Sequence, residues 1–139
     1  MNRREHRERR DSTELDALTE TIIGAAIQVH RALGPGLLES AYEACLCFEL
    51  TRGGLHVERQ KPQPVCYDGL LVDCGYRLDV LVEDEVILGV KAVRSLTPLH
   101  EAQLLTYLEL SGRHVELLLN FNVRVLEDGL QRLVNGFAG

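Results

Sequence analysis

The 139-residue chain contains no apolar run near the roughly 18 consecutive residues that a membrane span requires. Its N-terminus is arginine-rich and unlike a secretory signal. The expectation is a soluble, cytoplasmic protein with no membrane partner. No paired CxxC framework is present either. Cys45 and Cys47 fall in a helical pattern, and Cys66 and Cys74 in extended ones, which argues against a structural zinc site. All four read as small, free, buried hydrophobes with no disulfide partner. Positive charge is in deficit, leaving a formal net charge of -6. That excludes strong sequence-independent attraction to nucleic acid, which needs a basic footprint. It does not exclude an enzyme acting on nucleic acid, because a metal-binding carboxylate site is itself acidic. Internal repeats and low-complexity segments are absent.

What is present is a globular composition, 45% apolar and 26% charged, long enough to bury one core. The segment MNRREHRERR carries five arginines against two glutamates, so residues 1–13 read as a flexible basic tail and 14–139 as a single domain. From Leu15 to Leu33 apolar residues recur at three- and four-residue steps, predicting a helix that ends at Gly34-Pro35-Gly36. A second helix is expected from Leu37 to Arg52, stopping at Gly53-Gly54. The period then changes. Pro62 and Pro64 restrict the chain to extended conformations, and Asp68-Gly69 is a two-residue hairpin signal between Val65-Cys66-Tyr67 and Leu70-Leu71-Val72. Arg77 to Val82 and Val86 to Val93 predict a further antiparallel pair. Pro98 to Leu110 reads as a helix capped by Thr97 and stopped by Gly112. Val115 to Phe121 reads as a central strand, and LEDGLQRLVNGF as a short helix or a final strand. The fold class is α/β or α+β: a mostly antiparallel sheet with helices before it and one helix inserted before its last clear strand.

One lysine, Lys91, stands inside the second apolar run of the acidic hairpin. If Glu83-Asp84-Glu85 forms a three-residue loop, Val82 pairs with Val86 and Asp79 falls opposite Gly89. Asp79, Gly89 and Lys91 then share one face. A lysine in a buried strand needs a counter-charge or an exit to water, and Asp79 is a candidate partner. Spacing alone favours a partly exposed ion pair at a sheet end over the alternative, a metal-dependent hydrolytic site. Other polar residues shift the balance. Gln103 and Tyr107 lie on one helical face, with His100 a turn earlier. GLLESAY places Gly36, Glu39 and Tyr42 at three-residue steps, and Glu43 follows Glu39 by a turn.

At this point the chain resembles the GxxExxY proteins, a branch of the PD-(D/E)XK nuclease superfamily. The resemblance rests on GLLESAY and on further blocks, IIGAAIQVHRALGPGLLESAYE, VERQKPQPVCYDG, DCGYRLDVLVED, KAV, HEAQLLTYLELSG and LLLNFNV to VNGF. It implies a restriction-endonuclease-like core, a central mixed sheet flanked by helices. It also implies phosphodiester hydrolysis of DNA or RNA assisted by Mg2+ or Mn2+. By this resemblance Asp79 is the hairpin carboxylate, Lys91 the lysine of the (D/E)xK element, Glu39 the upstream helical carboxylate, and Gln103 and Tyr107 a QxxxY pair near the nucleic acid. Asp79, Glu39 and the Val90 carbonyl would hold the metal. The departure is Gly89, where the element requires a carboxylate. It predicts a weakened or inactive nuclease, or a non-catalytic nucleic-acid-binding or assembly module on the same fold. Asp73, Glu83 and Glu101 are the carboxylates that could fill in from elsewhere. The sequence leaves the oligomeric state open, a homodimer included.

Overall fold

A computed structural model describes residues 11–135. Helix α1 spans Ser12–Leu33, capped by Asp11, whose carboxylate accepts the Glu14 N–H at 2.8 Å. The helix therefore starts inside the segment assigned to the tail; the rest of that segment lies outside the described residues. Leu15, Leu18, Ile22, Ala26 and Val29 form its buried stripe. The chain turns through Gly34 and Gly36, both at positive φ (69° and 102°), conformations that glycine adopts without a side-chain clash. Helix α2, Glu39–Arg52, follows.

Tyr42 fixes that turn. Its hydroxyl donates to the Gly34 carbonyl at 2.5 Å and accepts the Leu37 N–H at 3.1 Å, while its ring stacks on Phe121 at 4.6 Å. The last residue of the Gly36/Glu39/Tyr42 pattern is thus a core residue that sets where Glu39 begins its helix. Tyr42→Phe keeps the stack and loses both hydrogen bonds, leaving a part-buried carbonyl and N–H unpaired. An expected loss of about 2 kcal/mol should lower the calorimetric unfolding midpoint by roughly 5 °C. An unchanged midpoint would refute this account of the motif.

Five strands form one sheet: β1 (Val57–Pro62), β4 (Arg77–Val82), β5 (Val86–Lys91), β6 (Val115–Asn120) and β7 (Leu130–Val134), in the order β1-β4-β5-β6-β7. All neighbours are antiparallel except β5 and β6, which run parallel with Val86 beside Val115 and Lys91 beside Asn120. That parallel step needs a crossover, supplied by α3, Pro98–Ser111. Thr97 caps α3 in a reciprocal box with His100, and Gly112 ends it in the left-handed region. His100 is thereby committed to the cap. A separate hairpin pairs β2 (Val65–Tyr67) with β3 (Leu70–Val72) across Asp68-Gly69, both at positive φ. The C-terminal stretch is both expected things in turn: a 3-10 turn at Leu126–Gly129, then β7.

The sheet buries both faces. Val80, Val82, Val86, Leu88, Val90, Leu117 and Leu119 pack with α1 and α2. Leu81 and Ile87 pack beneath α3 with Leu108. This is an α+β core, a mixed sheet flanked by helices, as the restriction-endonuclease-like expectation required. The cysteine expectation needs correction. All four thiols are free, but only Cys47 is buried; Cys45, Cys66 and Cys74 are exposed. Cys45 lies off the Tyr42–Leu46–Leu50 stripe of α2, Cys66 sits in the outlying hairpin, and Cys74 in the bend after it. Burial pushes the Cys47 thiol up to about 11, so it stays protonated. No helix among the described residues is long and apolar enough to cross a membrane.

Candidate active site

The site forms where the sheet bends. From the loop, β4 and β5 pair as expected, Val82 with Val86, Leu81 with Ile87 and Val80 with Leu88. The ladder then stops, so the expected Asp79–Gly89 backbone pair does not form. Instead the Val90 N–H donates to Asp79 Oδ2 at 2.9 Å. On the other side of β4, Arg59 pairs with Val80 and Lys61 with Leu78, while Gln60 between them takes φ 52°. Such an interruption bends a strand and re-aims its side chains. Leu78 accordingly joins Leu81 and Ile87 under α3, not Val80 on the opposite face. Glu43, buried on α2, holds the bend through Arg59 and Gln60, each at 2.9 Å. It is thus a structural anchor.

Burial raises the Asp79 pKa above the ordinary carboxylate value; the Val90 N–H and Lys91 oppose this, and the carboxylates of Glu43 and Glu39 reinforce it. Lys91 attracts Asp79 from the end of β5, yet makes no ion pair within 4.0 Å among the described residues. The strand end that carries it is tied down. Its carbonyl accepts the Phe121 N–H at 2.9 Å, and the Asn120 side chain clamps the N–H and C=O of Val93, each at 3.0 Å. Glu39 is exposed at the start of α2 and reaches the same end, accepting the Ala92 N–H at 3.3 Å. The Val90 carbonyl lies on the strand edge that its own N–H presents to Asp79.

A cleft of roughly 180 Å³ opens beside these groups, lined among others by Arg77, Asp79, Gly89, Lys91, Gln103 and Tyr107. Gln103 and Tyr107 do share one face of α3: Gln103 Nε2 donates to the Tyr107 hydroxyl at 3.2 Å. The Tyr107 ring leans on Tyr76 at 5.4 Å. The fold therefore brings Asp79, Lys91, Gln103 and Tyr107 to one cleft, while Glu39 does not line it and binds instead at Ala92, just past the end of β5.

None of the three carboxylates weighed as substitutes for position 89 is oriented toward it by its hydrogen bonds. Glu83 Oε2 accepts the His56 N–H, Glu101 accepts Gln131 Nε2, and Asp73 accepts the Gly75 N–H. The carboxylate that does stand there was missed: Glu116, of β6. It is in parallel register with Ile87, fully buried, and its Oε2 lies 3.3 Å from where a Cβ on Gly89 would be. Leu104 closes over the same spot, also at 3.3 Å. Neither Glu116 oxygen has a hydrogen-bond partner among the described residues. Desolvation, with some repulsion from Asp79 and despite attraction from Lys91, pushes its pKa up to about 8. The sequence held a signal for it, a lone charge in the apolar run VELLLN, the same anomaly that marked Lys91.

This contact predicts a coupling. Gly89→Glu places a second carboxylate against the first and against Leu104, at an expected cost of about 2 kcal/mol. In a Glu116→Gly background the clash between the two carboxylates is gone, and the same change should cost clearly less. Denaturant unfolding of the four proteins gives the coupling energy, and additive effects would show that the two positions are independent.

The donors here are oxygens, suited to a hard cation such as Mg2+ or Mn2+, and the unpartnered Glu116 oxygens are groups that a cation would satisfy. Among the described residues no three His, Cys, Asp or Glu side chains are grouped as a ready-made metal cage, so backbone oxygen and water would have to complete a shell. A search of curated proteins and one of solved structures find no match. A family model described as the PD-(D/E)XK nuclease superfamily matches residues 16–133, from within α1 to within β7 and across every site residue named above. The chain belongs to the PD-(D/E)XK nuclease superfamily.

Proposed function

We propose that this protein is a cytoplasmic nuclease of the GxxExxY branch, a single domain over residues 14–139 that hydrolyses phosphodiester bonds in DNA or RNA with Mg2+ or Mn2+. The observation that carries the reading is the convergence of Asp79, Lys91, Gln103 and Tyr107 on one cleft at the bent end of β4 and β5. Asp79, Glu39 and the Val90 carbonyl are the groups that would hold the cation. When bound, it supplies Lewis acidity toward the phosphoryl oxygen and acidifies water. Lys91 would donate hydrogen bonds to charge developing on the phosphate. Gln103 and Tyr107 offer an amide and a phenol to the nucleic acid, and Arg77 adds a positive charge at the rim. The bare Gly89 and the net charge of -6 favour a second reading, a weakened or non-catalytic binding module on the nuclease fold.

Incubation with labelled single- and double-stranded DNA and RNA separates the two. The nuclease reading expects cleavage with Mg2+ or Mn2+ that stops with chelator. No cleavage by the wild-type chain or by Gly89→Glu/Glu116→Gly, with any substrate or cation, sinks it in favour of the module.

A further inference from the structure

We infer that Glu116 supplies the carboxylate that β5 lacks at position 89, so that Asp79 and Glu116, on the two strands flanking β5, form the cation-holding pair of this site. The inference rests on the nuclease reading above and goes beyond it by completing the site from a different strand.

The first ground is position. A carboxylate two residues before Lys91 would project from Gly89 on the face beneath α3, because residues two apart share a face. Glu116 Oε2 occupies that space, 3.3 Å from the missing Cβ. Gly89 is therefore the vacancy that lets a side chain from β6 cross over β5. A larger residue at 89 and Glu116 compete for one volume.

The second ground is an unmet requirement. Glu116 is fully buried, and both its oxygens lack hydrogen-bond partners among the described residues. Burying a carboxyl group without partners costs several kcal/mol in either protonation state. Among the described residues no hydrogen bond offsets this: Lys91 attracts the carboxylate without bonding to it, and Leu104 caps the site with hydrocarbon. Gln131, in register with Leu118 on β7, leaves its own buried Oε1 unpartnered on the same side of the sheet. A polar group so placed serves a ligand, and the chemistry that suits two carboxylates and an amide oxygen is a divalent cation.

Glu116 would replace a β5 carboxylate without changing the rest of the set. Asp79 still approaches from β4 and Lys91 from the end of β5. A site of this kind is not a degraded one, and the glycine is part of how it is built.

The test is Mn2+ binding, measured by electron paramagnetic resonance and calorimetry on the full chain at alkaline pH, with circular dichroism to verify folding. Wild type is expected to bind Mn2+. Glu116→Gln, which is isosteric, and Asp79→Asn should each weaken binding by roughly a hundredfold. The relocated-carboxylate variant Gly89→Glu/Glu116→Gly should bind far better than Glu116→Gly alone. Wild-type affinity in Glu116→Gln, with affinity lost in Asp79→Asn, overturns the inference and leaves the nuclease reading intact. Absence of Mn2+ binding by the wild type also overturns it. In that case cation-dependent cleavage by Gly89→Glu/Glu116→Gly would show that the fold is a nuclease whose carboxylate is not Glu116.

Discussion

Between about pH 5 and pH 8, without divalent cations, the wild-type protein is expected to lose stability that Glu116→Gln retains. Burial raises the Glu116 pKa from its ordinary 4.5 to about 8 in the folded chain. Below the unfolded value the group is protonated in both states and adds no pH-dependent penalty. As pH rises, the unfolded chain ionises first and is favoured; the penalty grows until the pH passes the folded value. At roughly 1.4 kcal/mol per pH unit it reaches about 4–5 kcal/mol, an upper figure for so buried a group. Asp79, also raised, contributes with the same sign. Lys91 opposes both shifts. Glu116→Gln removes the largest contribution, so the difference in melting temperature should grow from near zero at about pH 5 to the order of 10 °C above pH 8. Parallel melting curves for the two proteins across this range would show that Glu116 is not held as described.

Replacing Lys91 by alanine should lower cation-dependent cleavage by about a thousandfold while leaving the fold intact, the size of effect seen when one donor to developing charge is removed. Lys91 is half-buried at a strand end and makes no ion pair within 4.0 Å among the described residues. The fold should therefore survive, with a modest loss of stability from the attraction to Asp79 and Glu116 that is removed. The cation makes the result diagnostic. A positive charge beside Asp79 and Glu116 repels a second one, so Lys91→Ala should bind Mn2+ as well as wild type or better even as turnover collapses. Arginine should not restore turnover, since its planar fork cannot take the place of a compact ammonium. Loss of Mn2+ binding in step with cleavage would mean that Lys91 organises the site and does not act on the phosphate.

Most of the fold was legible because its elements announce themselves locally. The α1 stripe, the Asp68-Gly69 hairpin, the Thr97 cap and the Gly112 stop each depend on a few neighbouring residues. Asp79, Lys91, Gln103 and Tyr107 could be brought to one cleft because two residues per element fix a face. What local pattern could not give was pairing between strands distant in sequence. The break in the β4–β5 ladder depends on Gln60 and Glu43, which no hairpin arithmetic includes. Glu116 was invisible as a neighbour of Gly89 because the parallel register of β5 and β6 is set by the crossover through α3. Asp73, Glu83 and Glu101 are closer in sequence to position 89, and hydrogen bonds hold each of them elsewhere.

The parallel pairing of β5 with β6 also has a consequence for the order of assembly. Up to Lys91 a nascent chain has both strands of the acidic hairpin, but one edge of β5 has nothing to pair with and Glu116 does not yet exist. Contacts that span α3 form late, because the intervening loop must be closed before they give any return. Asp79, Lys91 and Glu116 therefore meet only when β6 docks, late in folding and after α3 has been made. A growing chain that has not yet reached β6 carries Asp79 and Lys91 without Glu116.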